Sequence, residues 1–397
     1  MRPPVPRRSV TAFPSTLARI RPFQTPTPTR DRVAEEFRRR LGCPAVRFTA
    51  SGREGLQVLA RLARDLGRTR AYVPTLTIEA VPEILRRCGF EVIPLDIDPD
   101  TLSLTPDLLR RACRGPGIAL VTHYFGLPAE MPALRSVAED LGIDLLEDCA
   151  HAPLATVEGQ PVGTFGIGGF FSFESRKPLN AMGGGLVFSR DPRIAASLAT
   201  LALPPPSRWQ DARKLAYTAA EALAWSRPGF RWIAPWLHQE QGRRLFVGIY
   251  RRMHASSRAP TAGFSDLQAA LLEPQITAFD DQVRRKAALA RRYRQGLPAS
   301  WVLPLDPPDR PHLWYMFVVR HPQARDLGRF LRREGIDCGI GSEVLPLCGD
   351  GAATPGAREV VQTALELPMH DALREEDVDR VCEVAARFQG SRGPSTR

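Results

Sequence analysis

From Asp31 to about residue 198, short apolar runs alternate with amphipathic stretches, and few architectures accept that order. VRFT, AYVP, EVIPLDI, IALVTHYFG, IDLLEDCA, FGIGGFFSF and GGLVFS read as strands. DRVAEEFRRRLG, REGLQVLARLARDLG, IEAVPEILRRCG, PDLLRRACR and MPALRSVAEDLG read as helices between them. The alternation predicts an α/β domain with a mostly parallel central sheet flanked by crossover helices. Several strands are apolar throughout, as a sheet covered on both faces requires. Ligands of such sheets sit beyond the carboxyl ends of the strands. ASG, HYFG, EDCAHA and SFESRK fall at such ends and are expected to converge on one crevice.

Around that domain, residues 1–30, rich in Pro, Arg and Thr, are expected to form a mobile tail, and residues 31–198 the large domain. Residues 199–258 break the rhythm with clustered prolines, basic residues and many aromatics, and read as an insertion. Residues 259–397 open with FSDLQAALLEPQITAFDDQVRRKAALARRYRQGL, one long helix or two interrupted near Pro274. They close in a smaller α+β domain: HLWYMFVVRH as strand, then ARDLGRFLRREG, AREVVQTALELP and EEDVDRVCEVAARF as helices. The net charge of +11 favours anionic partners, whether phosphorylated metabolites or an anionic membrane face. No helix-turn-helix or basic recognition helix stands out, so nucleic acid is not expected. The seven cysteines include no C-x-x-C pair, which signals neither zinc nor a redox dithiol, and no metal is expected. Their scatter suits the reduced thiols of a cytoplasmic protein. MRPPVPRRSV lacks the apolar run of a signal peptide and no stretch approaches ~20 apolar residues, so neither a signal peptide nor a membrane span is expected.

Lysine occurs only at 177, 214 and 286, although Lys and Arg together number 54. A chain that prefers arginine yet keeps Lys177 in FFSFESRKPLNAMGGG points to a need for the primary amine, which condenses with an aldehyde where a guanidinium does not. Taken alone, a surface lysine kept by chance is the better reading. The neighbours change the balance. Ser172 lies between two aromatics that can face opposite sides of a strand, leaving its hydroxyl at an edge as a phosphate donor. Ser51, Gly52 and Arg53 open a helix whose free N–H groups suit a phosphate, although Ser51 is also an ordinary N-cap. Asp148 follows a buried strand and can hold a ring nitrogen protonated; a solvated turn is its bland alternative. His151 is more often a structural histidine than a catalytic one. An amine, a carboxylate and a Ser/Gly phosphate cradle, in that arrangement, are what pyridoxal 5′-phosphate requires.

These residues lie in motifs that extend along the chain: SGREGL, YVPTLTIEAVPEIL, GFEVIPLDIDPDTLSL, HYFGLPAEM, EDCAHAP, VGTFGIGGFFSFESRKPLNAMGGG, FSDLQAAL and LELPMHDALREEDVDRV. Over roughly residues 31–198 and 259–390 the chain resembles the DegT/DnrJ/EryC1/StrS family of sugar aminotransferases, within the aspartate-aminotransferase-like fold. The resemblance implies that Lys177 forms the Schiff base with the cofactor and then shuttles a proton. It implies that Asp148 holds the pyridine nitrogen, and that Ser172 with the backbone of Gly52 and Arg53 binds the phosphate. His151 stands where the family commonly has glutamine near the cofactor's 3-hydroxyl, and is expected to titrate near neutrality. The chain departs from the family's pattern at Ile78, Thr261, Gly263, Gly183 and Gly341-Ser342, positions that bear on the sugar site and on a phosphate contact from a partner subunit.

The expected activity is amino transfer from glutamate to a keto group of a nucleotide-activated sugar, within a homodimer. A cyclitol or another carbonyl is the alternative acceptor, and a cofactor-binding regulatory or scaffold role the alternative of another class. Residues 199–258 mix Trp209, Trp225, Trp232 and Trp236 with arginines, which suits either packing within the protein or a peripheral membrane contact, the first being the plainer reading.

Overall fold

The computed structural model describes residues 3–8, 29–237, 239, 242, 263–341, 346–348 and 354–388. Thr261, Ser342, and the residues of the insertion from 243 to 258 lie outside them.

Along the chain run α1 (Thr29–Leu41), β1 (Ala45–Thr49), α2 (Gly52–Asp65), β2 (Arg70–Pro74), α3 (Ala80–Arg87), β3 (Glu91–Leu95), α4 (Pro106–Ala112), β4 (Gly117–Thr122), α5 (Met131–Asp140) and β5 (Ile143–Asp148). A small hairpin, β6 (Thr156–Val157) and β7 (Gln160–Pro161), precedes β8 (Gly168–Ser172), β9 (Gly185–Ser189) and α6 (Pro192–Thr200). β1 to β5, β8 and β9 form one seven-stranded sheet in the order β1-β9-β8-β5-β4-β2-β3. β3, β2, β4, β5 and β8 run parallel, and β9 is antiparallel to both of its neighbours.

The all-apolar strands are explained by two cores. Tyr72, Ala119, Val121, Leu145, Phe171 and Phe188 point to the face covered by α1 and α5. Their sequence neighbours Ala71, Val73, Ile118, Leu120, Leu146, Phe170 and Val187 point to the opposite face, under α2, α3 and α6. Side chains alternate across a strand, so a sheet buried on both sides must be apolar at every position.

The insertion begins as two helices, α7 (Arg208–Trp225) and α8 (Arg227–Leu237). Trp225 and Phe230 pack on each other in a small satellite core, whereas Trp209 and Trp232 are 77% and 85% exposed. α9 (Asp266–Thr277) and α10 (Phe279–Gly296) follow. Pro274 lies inside α9, and the break falls at Ala278, after the proline rather than at it. The small domain comprises β10 (Phe317–Arg320), α11 (Ala324–Arg333), β11 (Gly339–Ile340), α12 (Pro355–Thr363), β12 (Ala364–Leu367) and α13 (Glu375–Ala386). Its three strands pair antiparallel in the order β10-β12-β11.

Two expectations are corrected here. ALEL, read as the end of a helix, is the central strand β12: pairing with β10 and β11 on both sides outweighs a helical spacing that only local sequence supports. Residues 3–8, expected within a mobile tail, are tied down. Val5 is buried, its N–H donates to the Gly335 carbonyl (2.8 Å), and its own carbonyl accepts from the Asp337 N–H (2.9 Å).

Candidate active site

The carboxyl ends of β4, β5 and β8 and the amino end of α2 meet at one crevice, with Tyr315 beside Lys177. Ser51 caps α2, its hydroxyl accepting from the Glu54 N–H at 3.2 Å. Gly52 is demanded by close approach: a Cβ there would stand 2.9 Å from the Ser172 Cβ and 3.3 Å from the Phe171 carbonyl. The first N–H groups of a helix therefore face a serine across a gap that only glycine leaves open. Ser172 reaches this place differently from the sequence expectation. Phe171 and Phe173 do not face opposite sides: both pack on Phe37 in one core, and Ser172 turns to the other face, as strand alternation dictates.

Asp148 ends β5. One of its carboxylate oxygens accepts from the Ala150 N–H at 2.9 Å. Burial pushes its carboxyl above the ordinary range, opposed by that N–H and by the charge of Lys177. Its neighbour Glu147 is entirely enclosed and fully engaged. Oε1 accepts from the N–H groups of Phe165 (2.8 Å) and Gly166 (2.9 Å), and Oε2 from Gly163 (2.7 Å). The His123 ring completes the set at 3.2 Å. Since His123 Nδ1 accepts from the Ala129 N–H, its proton sits on Nε2 and is donated to Glu147. His123, Glu147 and Cys149 place their donor atoms within 4.8 Å of one another. Glu147 is already saturated by N–H groups, and burial holds the Cys149 thiol protonated, so this cluster is a hydrogen-bonded knot under the crevice floor.

Lys177 sits in the turn between β8 and β9, its N–H bonded to the Glu174 carbonyl. Its Nζ stands 5.9 Å from the Tyr315 ring centre. Burial lowers its pKa to about 8, against the attraction of Asp148 and with a further push from Arg8. Lys177 and Asp148 thus feel each other's charge without forming a direct ion pair. The turn is held from α9: Gln268 donates to the carbonyls of Ala181 and Gly183, both at 2.9 Å. His151 accepts the Phe125 N–H on Nδ1 at 3.3 Å, so its proton is on Nε2. Burial keeps the ring neutral, its pKa well below the ordinary value. The expectation that it titrates near neutrality is corrected for that reason.

Of the residues singled out in the sequence, Gly52 meets Ser172, and Asp148 and His151 lie within electrostatic reach of Lys177; the Ser51 hydroxyl is taken up by its cap, and Arg53 follows Gly52 in the first turn of α2. Sequence reasoning missed Tyr315, Arg8 and Arg176. Tyr315 hides in HLWYMFVVRH, of which only Phe317–Arg320 is strand; its ring lies 4.9 Å from that of His151. Two departures from the family pattern have local causes. Gly263 lies under the backbone of Pro204, where a Cβ would come within 2.0 Å of the carbonyl oxygen. Gly183 has φ of +109° and faces Lys214 of α7.

An amine kept partly neutral, a buried carboxylate calling for a cation, a neutral imidazole and a helix-start cradle suit an aromatic aldehyde carrying a phosphate. The comparisons agree. The profile of the DegT/DnrJ/EryC1/StrS aminotransferase family matches residues 18–230 and 239–385. DesV of S. venezuelae superposes with a TM-score of 0.72 at 23% identity, covering 98% of this chain and 100% of that one. DesI, solved in the presence of its TDP-sugar product, gives 0.69 at 23% identity over 97% and 92%. Spr1654 of Streptococcus pneumoniae in its PLP form gives 0.70 at 18% identity over 97% and 98%. At these identities the likeness establishes the fold; the family profile, spanning most of the chain, establishes more. The chain belongs to the DegT/DnrJ/EryC1/StrS aminotransferase family and is a pyridoxal-phosphate-dependent aminotransferase.

Proposed function

We propose that this enzyme, working as a homodimer, moves an amino group from glutamate to a keto group of a nucleotide-activated sugar. The observation that carries the reading is the juxtaposition of Lys177, Asp148 and the Gly52–Ser172 cradle in one crevice. DesI, a structural neighbour, is named with a TDP-sugar product, which supports a nucleotide sugar as acceptor. The excess of basic residues suits such a diphosphate.

When bound, pyridoxal phosphate supplies a conjugated ring that takes up the electron pair of the bond broken at the substrate carbon. Lys177 would hold the cofactor through Nζ. A pKa of about 8 leaves roughly a tenth of such amines neutral at pH 7, far more than for an ordinary lysine. The same nitrogen, when not engaged with the cofactor, would serve as the base and acid that moves the proton at the substrate carbon. Asp148 would hold the ring nitrogen protonated, and that cation would in turn stabilise a carboxylate which burial disfavours. The N–H groups of Gly52 and Arg53, with the Ser172 hydroxyl, would take the phosphate. His151, fixed by Phe125, would offer Nε2–H as a neutral donor to the cofactor.

The test has two arms. Borohydride reduction of the holoenzyme followed by peptide mapping is expected to place the cofactor on Lys177; a label on Lys214 or Lys286 refutes that assignment. Incubation with glutamate and a panel of keto-sugar nucleotides, read by mass spectrometry, is expected to yield an aminated sugar nucleotide. Amination confined to sugars without a nucleotide refutes the acceptor class.

A further inference from the structure

We infer that Arg8, brought into the crevice by the N-terminal segment, is the residue that recognises the carboxylate of the amino donor. The inference rests on the transamination reading above and assigns its donor specificity to a residue outside the large domain.

Residues 3–8 form a strap on the small domain. Besides the pair of backbone bonds at Val5, the Arg7 carbonyl accepts from the Met369 N–H at 3.2 Å, and the Pro6 carbonyl lies 3.1 Å from His370 Nε2. The strap thereby delivers the next side chain, Arg8, to a fixed place. Arg8 Nε and Nη2 donate to the two oxygens of Glu366 on β12 at 2.8 and 2.9 Å, and Glu366 is only 2% exposed. Arg7 approaches the same carboxylate at 3.4 Å. Glu366 thus sets the plane of the Arg8 guanidinium from behind, much as a carboxylate behind a metal-bound histidine sets that ring.

Arg8, Arg176, Lys177, Lys286 and Tyr315 line one cavity of about 60 Å³. Arg176 is paired with Glu221 at 2.8 Å and Lys286 with Asp371 at 3.0 Å. Of the three carboxylates just named, Asp371 lines the cavity and Glu366 and Glu221 do not, so Arg8, Arg176, Lys177 and Lys286 line it with Asp371 among them. The charge of Arg8 is felt at Lys177, His151 and Tyr315, the groups that surround the reacting centre. Glu366 takes the Nε–Nη2 edge of the Arg8 guanidinium and Nη2 also lies 3.7 Å from Met316 Sδ, so a donor carboxylate would meet the group at Nη1. Because Lys177 lines the same cavity, an amino acid would have its amine and its carboxylate read together.

The experiment compares holoenzyme with Arg8→Gln and Arg8→Lys. Each is mixed with glutamate or with 1-phenylethylamine, an amine without a carboxyl group, and the change in visible absorbance of the bound cofactor is followed. The ratio of the glutamate rate to the phenylethylamine rate is expected to fall roughly 10- to 100-fold in Arg8→Gln, the loss of a charge-assisted pair. Arg8→Lys, which keeps the charge but not the fork, is expected to fall between. A ratio within twofold of wild type in both variants overturns the inference, even if both rates drop together, because a merely structural arginine moves both alike. Should Arg8→Gln not fold, Arg8→Lys alone decides. Glutarate titrated calorimetrically into each holoenzyme separates this inference from the donor assignment. If the wild type ignores glutamate yet binds glutarate in an Arg8-dependent way, the glutamate reading fails and the carboxylate site stands. Glutarate binding that is indifferent to Arg8 overturns the inference.

Discussion

Glu147 and Asp148 are adjacent carboxylates on one strand with opposite duties, and their environments assign them. Glu147 accepts from three backbone N–H groups and from His123, so both its oxygens are engaged and it is unavailable to a ligand. Glu147→Gln replaces an acceptor oxygen by an NH₂ that meets other donors. It is expected to destabilise the fold by about 3 kcal/mol, as measured by urea unfolding. Asp148→Asn keeps shape and size, and the protein is expected to fold. Turnover is expected to drop about a hundredfold, the equivalent of ~2–3 kcal/mol at the transition state, with the visible cofactor band altered. Lys177 gives a prediction in the opposite direction, on the protein freed of cofactor. Its folded pKa of about 8 lies below the ordinary lysine value of 10.5, so the folded state binds the proton less tightly than the unfolded chain. The resulting destabilisation is complete below pH 8 and fades as pH rises towards 10.5. Lys177→Met is therefore expected to raise the apoprotein's stability at pH 7 by roughly 1–3 kcal/mol, the lost attraction to Asp148 offsetting part of the gain. Thermal melts at pH 7 and pH 10 check it: the gain should shrink at the higher pH.

At the scale of elements, the crevice is an arrangement of ends: three strand termini, one helix start and the turn that carries Lys177. Gly52→Ala tests the helix start. Its Cβ would collide with Ser172 at 2.9 Å without changing any charge, so cofactor retention on dialysis is expected to fall at least tenfold while the fold survives. The turns around the site are strained. Phe125, Met182 and Trp314 have φ of 58°, 60° and 52°, each costing on the order of 1 kcal/mol or more. Phe125 donates to His151, Met182 precedes the glycines after Lys177, and Trp314 precedes Tyr315, so each strained residue adjoins a site residue. How much of this is legible in the chain depends on range. The large-domain strands are legible because burial on both faces leaves an apolar run, and Lys177, Asp148 and Gly52 because strand ends concentrate function. β12 is not legible, since AREVVQT and ALEL share one helical rhythm and only pairing with β10 and β11 separates them. Arg8 is not legible either, since its partner Glu366 lies 358 residues away. Ser172 was placed in the cradle with the wrong neighbours' geometry, although the period of two already puts Phe171 and Phe173 on the same side.

At the scale of the whole molecule, the insertion divides its aromatics by direction. Trp225 packs under the Arg176 guanidinium, 5.5 Å from ring centre to carbon, and Arg176 adjoins Lys177, so one side of α7 and α8 supports the active crevice. The other side presents Trp209, Trp232, Trp236 and Leu223 to solvent, with Arg208, Arg213 and Arg231 exposed beside them. Arg227 is withdrawn from that basic set by its pairing with Asp377. No helix among the described residues is long and apolar enough to cross a membrane. Tryptophan and leucine set among arginines have the composition of an interface centre with a charged rim. A second copy of the chain is the occupant expected, because most soluble oligomers are symmetric homodimers. Sedimentation of wild-type holoenzyme is expected to show a dimer. Trp232→Ala combined with Trp236→Ala is expected to weaken it at least tenfold while the visible cofactor band remains, since neither ring touches the crevice. Flotation with anionic vesicles at low salt, lost in the same double variant while the dimer persists, would assign the face to lipid instead and remove it from the subunit contact.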